Sequence, residues 1–227
     1  MKHVFQKPWG WEFEVTSSSS FALWYLEILP EKSTSLHCHL KKTTGYIVLS
    51  GQVEVEFLSS KVILNVGDSI NLRRSVFHRT RSLGGKANVL EIESPNEKDD
   101  LLRLEDESGR VDSSYSRSSQ IKDPDIISLM MKVQGSFSNK NGKYVFSDLE
   151  VAIKHTSIDS VLSMNQYYDT LALLEGVTPV VSRGIRIAED GIFSTGNISK
   201  VETLRRMKSV NDFSNQVTLL LVRPYAR

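Results

Sequence analysis

The first half of the chain alternates between apolar and polar positions, with little helical periodicity. Residues 21–29, 45–57, 62–65, 69–72 and 87–93 are rich in β-branched and aromatic side chains and are separated by Gly, Asn or Ser turns, which predicts strands. Pro30 introduces a polar bend over residues 31–34, Ser50-Gly51 turns the chain back, and Val66-Gly67-Asp68 makes a second turn. Residues 113–120 are serine-rich and polar, and with Lys122-Asp123-Pro124 they read as a linker over residues 113–124. Residues 125–133 space their apolar side chains helically, with Pro124 and Asp125 at the start, so a short helix is expected there.

The pattern then recurs. Phe21 to Phe146 and Gly51 to Gly176 each advance by 125 positions, Gly67 to Gly191 by 124, and Pro95 to Pro224 by 129. A nearly constant offset is the signature of an internal repeat. The chain therefore divides into residues 1–112, the linker 113–124, and a second copy over residues 125–227.

Three of the five histidines fall where two neighbouring strands can aim them at one point: His37, His39 and His78. Side chains two apart on a strand face the same way, so His37 and His39 project together and Cys38 faces the opposite side. His3 and His155 have no such context, and surface or capping roles are expected for them. An offset of 125 carries His37 to Leu162, His39 to Met164 and Thr44 to Asp169, and places His78 near Thr203. The second copy is therefore expected to lack a metal site. Arg183, Arg186, Arg205 and Arg206 are its candidates for an anion site, against which a solvated surface is the expected account.

These residues resemble the two motifs of the cupin superfamily. Glu31 stands at the first glycine position, five residues precede His37-x-His39, Thr44 falls on the glutamate position, and Gly51 closes the first motif. In the second, five residues separate Gly67 from Arg73, which replaces a proline, Ser75 replaces a glycine, and His78 is retained. Lys7-Pro8-Trp9-Gly10-Trp11, Tyr46-Ile47-Val48-Leu49-Ser50-Gly51, and residues 100–106 with Gly109-Arg110 are similar to segments of the mannose-6-phosphate isomerase domain of type II bifunctional enzymes and of related polysaccharide-biosynthesis cupins. The likeness covers roughly the first half of the chain. It implies an all-β fold of two tandem jelly-roll barrels, the second degenerate, with a short helix between them. It also implies isomerase- or epimerase-type chemistry on a sugar phosphate or activated sugar, and a homodimer.

The chain departs from that family at the metal. Thr44 removes a carboxylate, and His37 stands where the isomerase has glutamine. The expected centre is a divalent ion held by His37, His39 and His78 alone, for which zinc, iron, manganese and nickel all suit imidazole ligands. An Fe(II) three-histidine dioxygenase and a non-catalytic sugar-binding or regulatory cupin are the alternative readings.

The remaining candidates follow from strand parity and the resemblance. Tyr46, Glu91 and Arg110 are expected in catalysis, with Glu91 or Glu93 as an inward base or as a partner of a ligand. Lys42, Thr44, Arg79 and Arg110 are expected to contact substrate, and Arg81 is a further basic candidate. Trp9, Trp11 and Trp24 either stack on a sugar ring or fill the core.

Composition narrows the partners. The chain has 227 residues, a net charge of +1 and one cysteine. That balance gives no basic footprint for nucleic acid, and a single cysteine makes no internal disulfide and suits a reducing compartment. No signal-peptide core and no apolar run of about 20 residues is present, so a soluble cytoplasmic protein with a small carbohydrate substrate, and neither membrane nor nucleic acid, is expected.

Overall fold

The structure is a computed structural model that describes residues 3–107, 109, 120–138, 141–147, 149–164, 168–179, 192–207 and 213–225. The chain forms two compact units, Met1–Gly135 and Ser136–Arg227. Arg110 and most of the predicted linker lie outside the described residues. None of the described helices is long and apolar enough to cross a membrane.

The first unit carries β1 (Val4–Lys7), β2 (Gly10–Ser17), β3 (Ala22–Ile28), β4 (Leu36–Cys38), β5 (Thr43–Ser50), β6 (Val53–Phe57), β7 (Lys61–Leu64), β8 (Ser69–Leu72), β9 (His78–Ser82), β10 (Ala87–Ser94) and β11 (Leu102–Glu105). A six-stranded sheet runs β1-β2-β3-β10-β5-β8 and a five-stranded sheet runs β11-β4-β9-β6-β7. Their inner faces meet in a core that includes Trp24, Leu26, Tyr46, Val48 and Val89 from the first sheet and Val53, Val55 and Leu64 from the second. Alternate positions on each strand supply these residues, which is the jelly-roll pattern.

β4 and β5 belong to opposite sheets, and the chain crosses between them at residues 39–42. Asp100 fixes that crossing: its carboxylate accepts from the amides of Leu40 (3.0 Å), Lys41 (2.7 Å) and Lys42 (2.9 Å).

Helix α1 (Pro124–Ser136) spans the predicted helical stretch. The second unit then has β12 (Lys143–Phe146), β13 (Leu149–Ser157), α2 (Ile158–Ser163), β14 (Thr170–Glu175), β15 (Val177–Pro179), β16 (Ile192–Ser194), β17 (Ile198–Lys200), α3 (Val201–Met207) and β18 (Gln216–Pro224). Its main sheet runs β12-β13-β18-β14-β17. Strand for strand this follows β2-β3-β10-β5-β8 of the first unit, with β10 and β18 each between corresponding neighbours and every pairing antiparallel.

One turn fixes the correspondence. In the first unit the Gly67 amide donates to the Val48 carbonyl (2.9 Å), the Val48 amide to Asp68 (3.0 Å), and the Asp68 amide to Asn65 (2.9 Å). In the second, the Gly196 amide donates to Leu173 (2.8 Å), Leu173 to Asn197 (2.9 Å), and Asn197 to Ser194 (3.0 Å). Both glycines have positive φ, 84° and 90°, a conformation glycine adopts without Cβ strain. Gly196, and not Gly191, is thus the counterpart of Gly67, and the offset beyond this turn is 129. Met207 therefore corresponds to His78 in place of Thr203.

Candidate metal centre

β4 lies between β9 and β11, with His37 opposite His78 on one side and Arg103 on the other. That register, together with the two-residue step to His39, brings the three imidazoles together. Ring centroids lie 4.5 Å apart for His37–His78, 5.0 Å for His37–His39 and 5.5 Å for His39–His78. One ligand atom from each falls within 4.8 Å of the others.

Each ring is oriented through Nδ1. His37 Nδ1 donates to the Ser35 carbonyl (2.8 Å), His78 Nδ1 to the Val76 carbonyl (2.9 Å), and His39 Nδ1 to the Asp100 carbonyl. A carbonyl only accepts, so each Nδ1 carries the proton and each Nε2 presents a lone pair. His39 Nε2 and His78 Nε2 are buried and make no hydrogen bond. Burial also keeps the rings neutral. His37 is held well below the ordinary histidine range by burial and by the two neighbouring imidazoles, His39 falls to about 3 through burial and Lys42, and His78 falls to about 4 chiefly through burial. Three neutral imidazoles with inward lone pairs and fixed Nδ1 protons fit a divalent cation.

The inner wall is charged. A half-open cavity of about 60 Å³ is bordered by His37, His39, Lys42, Tyr46, Glu91 and Glu93, among others. It has room for a few water-sized groups. Glu91 and Glu93 both face inward from β10. Glu91 stands opposite Tyr46, whose phenol donates to it at 3.4 Å, and Glu93 stands opposite Thr44. Lys42 Nζ is 2.7 Å from Glu93. Lys98 Nζ reaches Glu93 (3.3 Å), Glu91 (3.6 Å) and Glu12 (3.6 Å), and sits 3.9 Å over the Trp24 ring. Burial pushes the Glu91 carboxyl above the ordinary range, against the pull of Lys98. For Glu93, Lys98 and Lys42 outweigh burial and hold the carboxyl below it. Burial, then Glu91, drives the Tyr46 phenol well upward, so it is a donor and not a base.

Other candidates stand elsewhere. Thr44 is buried on the inward face, and its hydroxyl has no hydrogen-bond partner. Arg79 is one residue from His78 and so projects from the opposite face of β9, pairing with Glu105 (3.0 Å) and Glu56 (3.8 Å); the substrate contact expected of it is corrected on that ground. Arg81 shares its parity and pairs with Glu107 (2.7 Å). Cys38 is buried on the side away from the imidazoles, and burial and Asp100 push its thiol up. Trp9 borders the cavity, whereas Trp11 stacks on Phe13 and Tyr25.

Sequence reasoning passed over Lys7, Glu12, Lys98, Asp100 and Arg103 as site residues. Lys7, Asp100 and Arg103 lie in segments that carried the family resemblance, while Glu12 and Lys98 had no such signal.

Residues 1–106 match the family described as mannose-6-phosphate isomerase C-terminal, so the resemblance to that cupin family holds over those residues. The alginate biosynthesis protein AlgA of Pseudomonas putida is 28% identical over 119 residues, which is 51% of this chain and 24% of that protein. A mannose-1-phosphate guanylyltransferase of Sinorhizobium fredii is 29% identical over 105 residues, 45% of this chain and 20% of that protein. The chain thus spans a quarter or less of the length of these relatives. Among solved structures, KdgF from Halomonas sp. aligns at 20% identity over 41% of this chain and 86% of that one, with a TM-score of 0.39.

Proposed function

We propose that the first unit is the metal-dependent site of an enzyme of carbohydrate or surface-polysaccharide metabolism. It acts on a sugar phosphate or activated sugar by isomerase- or epimerase-type proton transfer. The observation that carries this reading is the convergence of three buried imidazoles, two of which, His37 and His39, border the same half-open cavity as Glu91, a carboxylate of raised basicity. The match of residues 1–106 to the isomerase family supports the substrate class.

A divalent ion held by His37, His39 and His78 would supply Lewis acidity to a carbonyl or to two hydroxyls. Glu91 is the base. Its raised proton affinity suits removal of a proton from the carbon beside a carbonyl. In isomerisation a proton returns to the former carbonyl carbon while the hydroxyl proton passes to the carbonyl oxygen; in epimerisation it returns to the opposite face of the same carbon. Tyr46 orients Glu91 through its phenol hydrogen bond. Thr44 offers an unpaired hydroxyl oxygen to a substrate hydroxyl, and Lys42 acts through Glu93, to which it is bound.

The test is metal analysis of protein purified without chelator, followed by anaerobic incubation in D2O with a panel of sugar phosphates and nucleotide sugars. Metal-dependent deuterium incorporation, abolished by Glu91→Gln, is the expected result. Oxygen consumption without anaerobic exchange would replace this reading with the three-histidine iron dioxygenase. The homodimer implied by the resemblance is likewise a proposal, tested by sedimentation at micromolar concentration.

A further inference from the structure

Among the buried polar atoms of the first unit that make no hydrogen bond are His39 Nε2, His78 Nε2, Thr44 Oγ1 and Glu93 Oε2. Leaving one such atom unsatisfied costs about 1–3 kcal/mol, so a cluster of them marks a place built for something else. Two are imidazole lone pairs and one is a carboxylate oxygen, and all three can only accept. What belongs there is therefore a cation together with a group that has protons to give.

Glu93 is aimed by its neighbours. Its Oε1 is held by Lys42 at 2.7 Å and by Lys98 at 3.3 Å, which leaves Oε2 free. Thr44 is directly opposite Glu93 across the β5–β10 pair, so the two side chains share one face at neighbouring positions. Among the described residues, the trio whose ligand atoms lie within 4.8 Å of one another does not include Glu93. Glu93 borders the same cavity as His37 and His39, so its reach to a bound metal would run through an intervening oxygen.

We infer that Glu93 and Thr44 together form an outer acceptor pair, which receives the protons of the water or sugar hydroxyl carried by the metal. Glu93 supplies from β10 the carboxylate that Thr44 does not supply from β5. Its role is positional, since Lys42 and Lys98 already balance its charge. The inference rests on the metal reading of the three histidines.

The test uses the full chain and Co2+, with affinity measured by chelator competition. Glu93→Gln is expected to weaken binding about tenfold to a hundredfold, as loss of an outer-shell partner does. Adding Thr44→Glu in that background is expected to recover about tenfold or more, whereas Thr44→Glu in the otherwise native chain changes affinity less than about threefold, the non-additivity of two groups serving one place. An unchanged affinity in Glu93→Gln, or an equal gain from Thr44→Glu in both backgrounds, overturns the inference. If Glu93→Gln fails to fold, Thr44→Val leaves the lysine pairs intact and is expected to weaken binding about threefold or more; no change overturns the inference. His78→Ala is the separate control: if it binds Co2+ as the native chain does, the metal reading itself fails.

Discussion

At the scale of single residues, the inner wall sets two adjacent carboxylates apart. Glu91 holds its proton more tightly than an ordinary carboxyl because it is buried, while Glu93 holds its proton less tightly because Lys98 and Lys42 outweigh burial. The two have opposite linkage to pH. Above the ordinary carboxylate value of 4.5, the folded state keeps a proton on Glu91 that the unfolded chain has released, so native stability falls as pH rises until the folded carboxyl also ionises. Glu91→Gln removes that loss. Urea denaturation of the metal-free protein should show the variant gaining on the native chain as pH rises from 5 to 7, by at most about 1.4 kcal/mol per pH unit. A flat difference would mean that Glu91 ionises normally. His37, His39 and His78 were legible in the sequence because a strand period of two and a motif spacing suffice to place them. The division of labour between Glu91 and Glu93 was not, because it depends on Lys98, which comes from a loop and has no periodic relation to the strands.

At the scale of elements, the first unit depends on two close approaches that the sequence marks only faintly. Gly10 starts β2 at φ 150°, and a Cβ there would lie 1.9 Å from the Glu27 carbonyl oxygen. The backbones of β2 and β3 leave no side chain room at that point, so Gly10→Ala should cost about 3 kcal/mol, read as a lower denaturation midpoint. The segment that follows β10 is the second. Asp100 uses its side chain to hold the amides of residues 40–42 and its carbonyl to hold His39. Asp100→Ala should loosen the crossing from β4 to β5 and weaken metal binding about tenfold or more, with the fold retained by circular dichroism. The second unit has helices that a fixed offset did not show. α2 stands where β4 stands in the first unit, capped by Ser157, which accepts from the Ser160 amide at 3.1 Å. Ile158, Val161 and Leu162 share its buried face. Their spacing by three and four was a helical signal within a stretch read only by its offset to His37. α3 likewise occupies the approach to the His78 position, with Val201, Leu204 and Met207 buried. Where the first unit presents imidazoles to a cavity, the second packs Leu162 and Met207 into its own core. We propose on this ground that it is a diverged copy whose ligand-bearing strands became helices.

At the scale of the whole molecule, each unit has a core of its own: one built around Trp24, Tyr46 and Val48, the other around Tyr168, Leu171 and Leu219. Only the first has a histidine cluster among the described residues. A ligand stabilises the cooperative block that binds it by RT ln(1 + [L]/Kd), about 2.7 kcal/mol at a hundredfold excess over Kd. If the units unfold separately, calorimetry of the full chain should resolve two transitions, and added Zn2+ should raise one of them while leaving the other in place. His78→Ala should abolish that shift without moving the second transition. A metal that raised both transitions together would show that the two units melt as one cooperative block. A metal that raised only the transition retained by His78→Ala would place its site in the second unit. That outcome is opposed by the chemistry, because the positions there that correspond to His37, His39 and His78 are Leu162, Met164 and Met207, of which only the methionine thioethers are even weak donors to a hard or borderline divalent ion.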